Sequence, residues 1–568
     1  MPLGSDPSSP VRPAFVLVLS LIFLAIFAAL AVCVGVTANG NLQMASNQAS
    51  RNSALAAAQS GLQCARYLVA TVGLPSTAVN QIRPEDSEQV WSLLIDHLSA
   101  VAIDGRQVQV WGITGGQVLR IADVPLDDAT FSLAFYRYYA EPNAIFVRST
   151  GRCGDVYRTI GMRMDIKKKG PVLRYGVASR GRMWLTGDTT VYGPIYSSWD
   201  VESISPFNMT SDSRVFGSIN TVLTLDQVKA QSWQLETLDE HDRPIDVNGA
   251  PLGTNYQDRY YGPDDEIQGY HEGINYGQPD YENIPELDIA NYDTSLYREM
   301  AHYDQSAQVS GDLICNGKIP ASSVTITEYF PHAAGSYTQP RDSGSLKLKR
   351  YLYENKTFRD VFLPSIKTST TDRRAALFRN CTFEGILYID CAQTASSTVS
   401  NTPYNNVRFE NCTFKGVIVT NTPRTLWSNW WKQNCLYFTG AATFNNQSAI
   451  KEATILAPHF NVNLGNTNPQ QSDNNVLTGV IVGGIVDVRG NAQIYGTIVS
   501  MADTTCYTSG YVTNIGATLS DGGSETTELG DVGTIVIRPD PSQMLPSGIT
   551  TPIVIEPDQS SYQEIDGQ

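Results

Sequence analysis

Leu377–Ile389 reads LFRNCTFEGILYI, and Arg408–Val419 reads RFENCTFKGVIV. The two stretches align without a gap, and every aligned pair of residues is 31 positions apart. The shared side chains are Phe378, Asn380, Cys381 and Phe383 in the first copy, and Phe409, Asn411, Cys412 and Phe414 in the second. We infer that one structural unit is used twice.

This unit predicts a right-handed parallel β-helix. One coil cannot bury its own apolar side chains, so several coils must stack, with Phe and Cys forming inward ladders. Asn380 and Asn411 are expected to be buried at tight corners that need a positive φ. Cys381 and Cys412 would be stacked free thiols, because the spacing of about 4.8 Å between strands exceeds the Cβ separation of about 3.8 Å in a disulfide. A propeller or a sandwich also fits short strands with Gly turns.

A second match, G-[DN]-x-x-[VI]-Y-G-x-I-x-S, joins Thr186–Ser197 to Arg489–Ser500, about 300 residues later. It places β-helix coils near both ends of the C-terminal region. The expected divisions are first coils at 171–204, an irregular Tyr-, Asp- and Gly-rich insertion at 205–370, further coils at 371–556 and a polar tail at 557–568.

The composition of the chain argues against several classes of function. The formal net charge of −16 over 568 residues argues against a nucleic-acid-binding groove. The run KKKG at Lys167–Gly170 predicts a solvated strand end or hinge. Nine cysteines without a CxxC pair, and six histidines without metal-ligand spacing, predict neither a zinc site nor any other cofactor.

Residues 73–170 predict a small α+β unit. Asp86 is expected to cap a helix whose apolar residues have helical spacing, and strand-like runs follow it. The final run, NAIFVRSTGRCGDVYRTIGMRMDI, predicts a hairpin with Gly151 and Gly154 at its reversal.

The stretch from Ala14 to Val36, AFVLVLSLIFLAIFAALAVCVGV, carries no charge. As a helix it would cross a hydrocarbon layer of roughly 30 Å. It is longer than the apolar core of a secretion signal, so a membrane anchor or an assembly helix fits better. Arg12 favours a cytoplasmic N-terminus for residues 1–13, which would place the bulk of the chain outside the inner membrane of a bacterium.

The Ala-rich sequence from 37 to 72 continues this helix. Leu55, Ala58, Leu62, Ala65 and Leu68 fall on one helical face. The phrases Met44-Ala45-x-Asn47 and Ala54-Leu55-x-Ala57-Ala58-x-Ser60-Gly61-Leu62 resemble the N-terminal segment of PilX-type minor pilins of type IV pilus systems. That resemblance implies assembly with other pilin or pseudopilin subunits through the helix, along residues such as Leu19, Ile26, Leu55, Ala58 and Leu62.

Two positions depart from the pattern of that family. Leader processing would fall at Ala14/Phe15, where the family commonly has Gly before the mature residue. Counting from Phe15, Leu19 stands where pilins commonly carry glutamate. The resemblance therefore implies a minor, PilX-like role and not that of a major shaft subunit.

An enzymatic alternative uses carboxylates of the β-helix, because paired acids can cleave polysaccharides by acid–base chemistry. The available residues are Asp264, Asp265, Glu266, Asp280, Glu282 and Asp390, and no spacing among them is diagnostic. These six acids are better explained as solvated carboxylates in loops. Tyrosines between Tyr256 and Tyr297 would either pack on the β-helix or stack on carbohydrate.

The sequence thus predicts a non-enzymatic, single-pass envelope protein, a PilX-like minor pilin or pseudopilin that presents a β-helix for structural or adhesive binding. Its expected partners are membrane lipid, other pilin-type subunits and, as a further ligand, carbohydrate or a cell surface, with no nucleic acid. The alternative is a membrane-tethered β-helix that binds or cleaves polysaccharide and has no part in pili.

Overall fold

The computed structural model describes most of the chain. The described residues are 12–101, 103–210, 212–236, 238–241, 243, 245, 249–250, 267–330, 346–364, 374–391, 405–424, 434–440, 442–445, 450–467, 476–502, 511–516 and 534–565. The protein is mainly β, with a long apolar helix at its N-terminus.

The chain forms two compact units. Unit 1 comprises Met1–Pro75, Ile82–Lys167 and Val554–Gln568, and unit 2 comprises Ser76–Gln81 and Lys168–Ile553. Unit 2 is therefore an insertion in the sequence of unit 1.

Two helices belong to unit 1. Helix α1 (Arg12–Ala70) is continuous, as the absence of Pro after position 13 and the many Ala residues predict. Helix α2 (Pro84–Ala100) begins with Pro at its first position and buries Val90, Trp91, Leu94 and Leu98. Asp86 is not the cap that we expected: Arg83 is the N-cap, and Asp86 reaches back to its backbone N–H at 3.0 Å.

An antiparallel sheet accompanies these helices. Its strands are β2 (Gln109–Ile113), β3 (Gly116–Leu126), β4 (Ala129–Tyr138), β5 (Ala144–Cys153), β6 (Val156–Lys168) and the C-terminal β34 (Thr551–Ile565). The hairpin β5–β6 reverses at Gly154, which has a φ of 59°. Gly151 does not lie at the reversal, because it pairs with Arg158 inside the ladder.

Strand β34 corrects the expected polar tail at 557–568. The strand extends to Ile565 and neighbours β6 in the sheet. The Arg158 Nη1 and Glu564 Oε1 atoms are 2.9 Å apart, and the backbone N–H of Arg163 donates to the Ser561 hydroxyl. These contacts hold the polar residues of the segment in a sheet, which a composition-based reading cannot detect.

The described part of unit 2 contains short strands and two short α-helices, α3 (Leu225–Lys229) and α4 (Ser295–Met300). The strands are β1 (Ser76–Thr77), β7 (Val177–Ser179), β8 (Arg182–Leu185), β9 (Thr189–Val191), β10 (Ile195–Ser197), β11 (Phe207–Met209), β12 (Arg214–Val215), β13 (Ile219–Thr221), β14 (Ile274–Asn275), β15 (Gln308–Ser310), β16 (Leu313–Lys318), β17 (Thr325–Phe330), β18 (Leu346–Glu354), β19 (Thr357–Leu363), β20 (Arg374–Arg379), β21 (Thr382–Ile389), β22 (Asn405–Glu410), β23 (Thr413–Phe414), β24 (Val417–Thr420), β25 (Asn434–Thr439), β26 (Thr443–Phe444), β27 (Ala453–Thr467), β28 (Val476–Thr478), β29 (Val480–Gly490), β30 (Ala492–Tyr495), β31 (Ile498–Ser500), β32 (Tyr511–Ile515) and β33 (Ile535–Arg538).

Most of these strands pair in parallel. Within the described part of unit 2, the antiparallel exceptions are β1–β34, β15–β16 and β17–β18. Residues 205–370, expected to be irregular, contribute strands β11 to β19 to the ladders where they are described. The expectation failed because these strands are mostly two to seven residues long, too short to show a period in the sequence.

One aliphatic column runs through the parallel ladders of unit 2. In spatial order its members are Val361, Leu387, Ile418, Ile455, Ile481, Ile498, Val177, Ile195, Ile219 and Ile274. Each member is the register partner of the next. The sequence order breaks between Ile498 and Val177, so the last part of unit 2 pairs with its first part. We call this place the seam.

Candidate functional site

The apolar stretch of helix α1 is exposed along its whole described length. Residues 15–36 are not buried by any other described part of the protein, and the exposed fraction is 45% for Leu19 and 49% for Ile26. The helix is long and apolar enough to cross a membrane. Exposure of such a surface to water costs a free energy of about 25 cal/mol for each Å² of apolar area. Contact with lipid or with other apolar helices would remove this cost.

The following turns of α1 pack on the sheet of unit 1. Ala58 and Leu62, expected on the packing face, are buried, and Leu55 at the margin of that face is half-buried. Ala65 and Leu68 are also buried. The helix therefore has two parts with different surroundings, an exposed apolar part and a part anchored in unit 1.

Two glycines set the distance between α1 and the sheet. A Cβ on Gly151 would lie 1.9 Å from the Ala54 carbonyl oxygen and 2.5 Å from the Ala58 nitrogen. A Cβ on Gly61 would lie 2.3 Å from the Ser149 hydroxyl. Strand β5 thus contacts the helix backbone directly at a place where only glycine fits.

The proposed processing position lies within α1. The helix already includes Ala14, and Phe15 has an exposed fraction of 70%. The leader expected at 1–13 falls almost entirely outside the described residues, and its processing stays a prediction.

The ladder residues of unit 2 form two aromatic columns. Phe378 stacks on Phe409 with ring centroids 5.5 Å apart, and Phe383 stacks on Phe414 at 5.2 Å. Among the described residues, each column has four members, since Tyr353 and Phe438 extend the first and Phe358 and Phe444 the second. All eight rings are buried.

Sequence reasoning missed the outer members of both columns. YENKTF (353–358) has the pattern [FY]-x-N-x-T-F of the two recognised copies, with Tyr in place of the first Phe. FTGAATF (438–444) replaces Asn by Gly and carries one additional residue. A search that allowed Tyr for Phe would have found the first of these.

The corner asparagines differ from expectation in one respect. Asn380 and Asn411 have φ values of 53° and 52°, as tight corners require, and Asn355 and Gly440 repeat this conformation in the flanking segments. The side chains of Asn380 and Asn411 are exposed, however, and not buried. The backbone geometry explains these asparagines, because Asn tolerates the left-handed region and its polar side chain suits a solvated corner.

Cys381 and Cys412 are buried free thiols. The Cys381 Sγ donates to the Tyr353 carbonyl at 3.5 Å, and the Cys412 Sγ donates to the Phe378 carbonyl at 3.3 Å. Burial raises the pKa of Cys412 well above its ordinary value. These thiols pack as small apolar groups.

The candidate catalytic acids are only partly described. Asp264, Asp265 and Glu266 lie outside the described residues. Asp280 accepts from the backbone N–H of Tyr281 at the start of a short 3-10 helix, and Asp390 accepts from the Tyr303 hydroxyl at 3.4 Å. Among the described residues, no group of three or more His, Cys, Asp or Glu could hold a metal ion.

A buried base, Lys168, and a buried acid, Glu286, both belong to unit 2. Lys168, expected to be solvated, is buried and donates to the carbonyls of Pro546 and Ile549. Burial lowers the pKa of Lys168 to about 8 and raises that of Glu286 to about 7. In the tyrosine-rich segment, Tyr292 and Tyr297 are likewise buried and so serve packing.

The comparisons with known proteins concern mainly helix α1. Residues 15–63 match the family described as PilX N-terminal. This range covers the exposed part of α1 and the start of its anchored part, and it confirms the PilX-like segment expected from the sequence. No curated protein matches the chain.

Among solved structures, the competence-associated pilin ComZ from Thermus thermophilus aligns over 91% of this chain and 97% of that chain, at 11% identity and a TM-score of 0.28. A score of this size does not indicate a shared fold.

Proposed function

We propose that this chain, with its PilX-like N-terminal segment, is a non-enzymatic minor pilin or pseudopilin of a type IV pilus or a related secretion system. The observation that carries the proposal is the agreement between the family match at 15–63 and the division of α1. Residues 15–36 offer an apolar surface to lipid or to other pilin helices, while the following turns are fixed in unit 1.

A charge in the exposed part of α1 tests this role. Ile26→Asp is expected to abolish co-purification with other pilin-type subunits from solubilised membranes, because lateral packing of apolar helices does not tolerate an unpaired carboxylate. Ile26→Leu is the matched control and should co-purify like the wild type. Undiminished co-purification of Ile26→Asp, at equal amounts in the membrane fraction, would contradict assembly through α1.

We further propose that residues 14–36 span the bacterial inner membrane with a cytoplasmic N-terminus, that 37–72 continue the helix and that 73–170 form a pilin-like head. Among the described residues, α1 is the one helix long and apolar enough to cross a membrane, and Arg12 before the span favours this orientation. Cleavage between Ala14 and Phe15 would be seen by N-terminal sequencing of the membrane-associated protein. An intact Met1 would exclude it.

For unit 2, the proposal is a parallel β-helix that acts as a rigid structural or adhesive surface. The in-register parallel partners and the two aromatic columns support it. A structural role is favoured over a catalytic one because the ladder side chains are buried and cannot contact a substrate. Release of sugar products from acidic polysaccharide by the full chain would favour the enzymatic alternative instead.

A further inference from the structure

The outer face of the sheet in unit 1 carries a trough that the assembly role does not use. This face is opposite to the one on which α1 packs: Phe131, Leu133 and Phe135 of β4 are buried on the helix side, whereas Ser132 and Ala134 point outward and are half-buried. The trough has a volume of about 700 Å³. That size lies within the range of ligand sites in proteins.

Two arginines flank the centre of the trough. Arg120 of β3 and Arg148 of β5 are both register partners of Ala134, one on each side of β4. Directly paired residues point to the same face, and two strand spacings separate the two Cα atoms by about 10 Å. The small Ala134 side chain leaves the space between the two guanidinium groups open.

Aromatic rings fix both guanidinium groups. The Arg120 guanidinium lies 5.5 Å from the ring centroid of Trp111, and the Arg148 guanidinium lies 5.0 Å from that of Tyr136. Among the described residues, neither arginine forms an ion pair, whereas Arg163 at the margin of the same face is paired with Glu141 and Asp165. Two exposed, oriented and unneutralised cations therefore face one cavity in a chain of net charge −16.

Three aliphatic hydroxyl groups lie beside the arginines in the trough, whose lining also includes Ile121, Tyr157 and Ile565. Ser132, Thr150 and Thr159 line the trough, and the Thr150 and Thr159 hydroxyl oxygens are 3.0 Å apart. Hydroxyls both donate and accept, which suits a ligand that itself carries many hydroxyls. Guanidinium groups bind carboxylates through paired, charge-assisted hydrogen bonds.

We propose that this trough binds a short acidic saccharide, with carboxylates held by Arg120 and Arg148 and sugar hydroxyls held by Ser132, Thr150 and Thr159. A single-stranded nucleic acid fits less well, because the rings on which bases would stack are covered by the guanidinium groups and the chain is strongly acidic. The proposal goes beyond the assembly role and does not depend on it.

The test measures binding of tetragalacturonate to the full chain in nonionic detergent micelles by titration calorimetry. Its fully methyl-esterified form keeps the size and most of the hydroxyls but has no charge. We expect binding of tetragalacturonate and at least tenfold weaker binding of the ester. Equal affinities, or no binding of tetragalacturonate at millimolar concentration, would overturn the proposal, as would tighter binding of a ten-residue oligothymidylate.

Variants assign the binding to the trough. Arg120→Gln and Arg148→Gln should each weaken binding at least tenfold, and Ala134→Phe should do so by filling the space while leaving both charges in place. Arg152→Gln, on the same face of β5 but outside the trough, is the matched control and should change affinity less than twofold. An equal loss in Arg152→Gln would mean a nonspecific charge effect and would refute the site. Co-purification with pilin-type subunits is expected to be unchanged in all four variants.

Discussion

At the residue scale, Gly151 decides how closely the sheet of unit 1 approaches α1. The position has no unusual φ requirement, so its need for glycine comes from contact alone: the backbone of α1 at Ala54 and Ala58 occupies the space of a side chain. The sequence suggested a turn at this glycine, since Gly at a predicted reversal is the commoner case. The tertiary contact that actually constrains it cannot be read from the local sequence.

We predict that Gly151→Ala destabilises unit 1 by about 1–3 kcal/mol, because the helix or the strand must shift to accommodate the methyl group. Thermal unfolding followed by circular dichroism would show a lower Tm. Gly112→Ala in β2 is the control, since a Cβ there meets nothing within 4 Å, and it should alter stability by less than about 0.5 kcal/mol. Equal Tm values for the two variants would show that α1 does not approach β5 so closely.

At the element scale, unit 2 is held together by columns that cross its strands. The rings of Phe378, Phe409 and Phe438 are parallel within 17° and 5.0–5.5 Å apart, and rings of the neighbouring column meet them edge to face. Such pairs stabilise by about 0.5–1.5 kcal/mol beyond the burial of their area. Each inner ring therefore stabilises the paired strands on both sides of it.

Phe409→Ala removes an inner member of a column and is expected to lower the free energy of unfolding by about 3–5 kcal/mol, since the paired strands on both sides hinder collapse of the cavity. Denaturant unfolding of the full chain, followed by fluorescence, measures the loss. Tyr495→Ala, at a ring that is 41% exposed, is the control and should cost far less. A small effect at Phe409 would argue against continuous columns.

The raised pKa of Glu286 predicts that the stability of unit 2 depends on pH. Its pKa is raised from 4.5 to about 7 by burial, so the folded state favours the protonated form. The stability contributed by that form is complete below pH 4.5 and is lost as the pH rises through 7, by an amount of the order of 3 kcal/mol. Glu286→Gln should abolish this decline in unfolding experiments between pH 4.5 and 8. Glu282→Gln, at an exposed carboxylate in the same segment, should retain it.

At the scale of the whole molecule, the seam is the feature that sequence analysis could not foresee. The helix α1, the strands of unit 1 and the parallel pairing of Phe378 with Phe409 were predictable, because each depends on a local period or on a phrase repeated 31 residues later. The pairing of Ile498 with Val177 joins strands of three residues about 320 positions apart. The sequence match between Thr186–Ser197 and Arg489–Ser500 reflects this pairing, since Ile195 and Ile498 occupy equivalent positions in the match and both pair with Val177.

We predict that the strands at the seam unfold cooperatively with the other strands of the aliphatic column. Ile498→Ala should cost about 2–5 kcal/mol, as for any buried Ile with little room to relax. Ile274→Ala removes the same atoms at the half-buried last described member of the column and should cost less than half as much. The hydrogen-exchange rates of the backbone amides in β7 and β31 should rise together in Ile498→Ala. Fast exchange of both strands already in the wild type would instead show that the seam is open.

The position of β34 has a consequence for biosynthesis. Residues 554–565 complete the sheet of unit 1 beside β6, but they are made after all of unit 2. During synthesis, the edge of β6 therefore stays without this strand until all of unit 2 has been made. A chain that terminated within unit 2 would carry α1 and the strands β2 to β6, but it would lack β34 and expose unpaired backbone groups of β6 to proteases. A complete sheet in unit 1 thus requires that the whole of unit 2 has already been made.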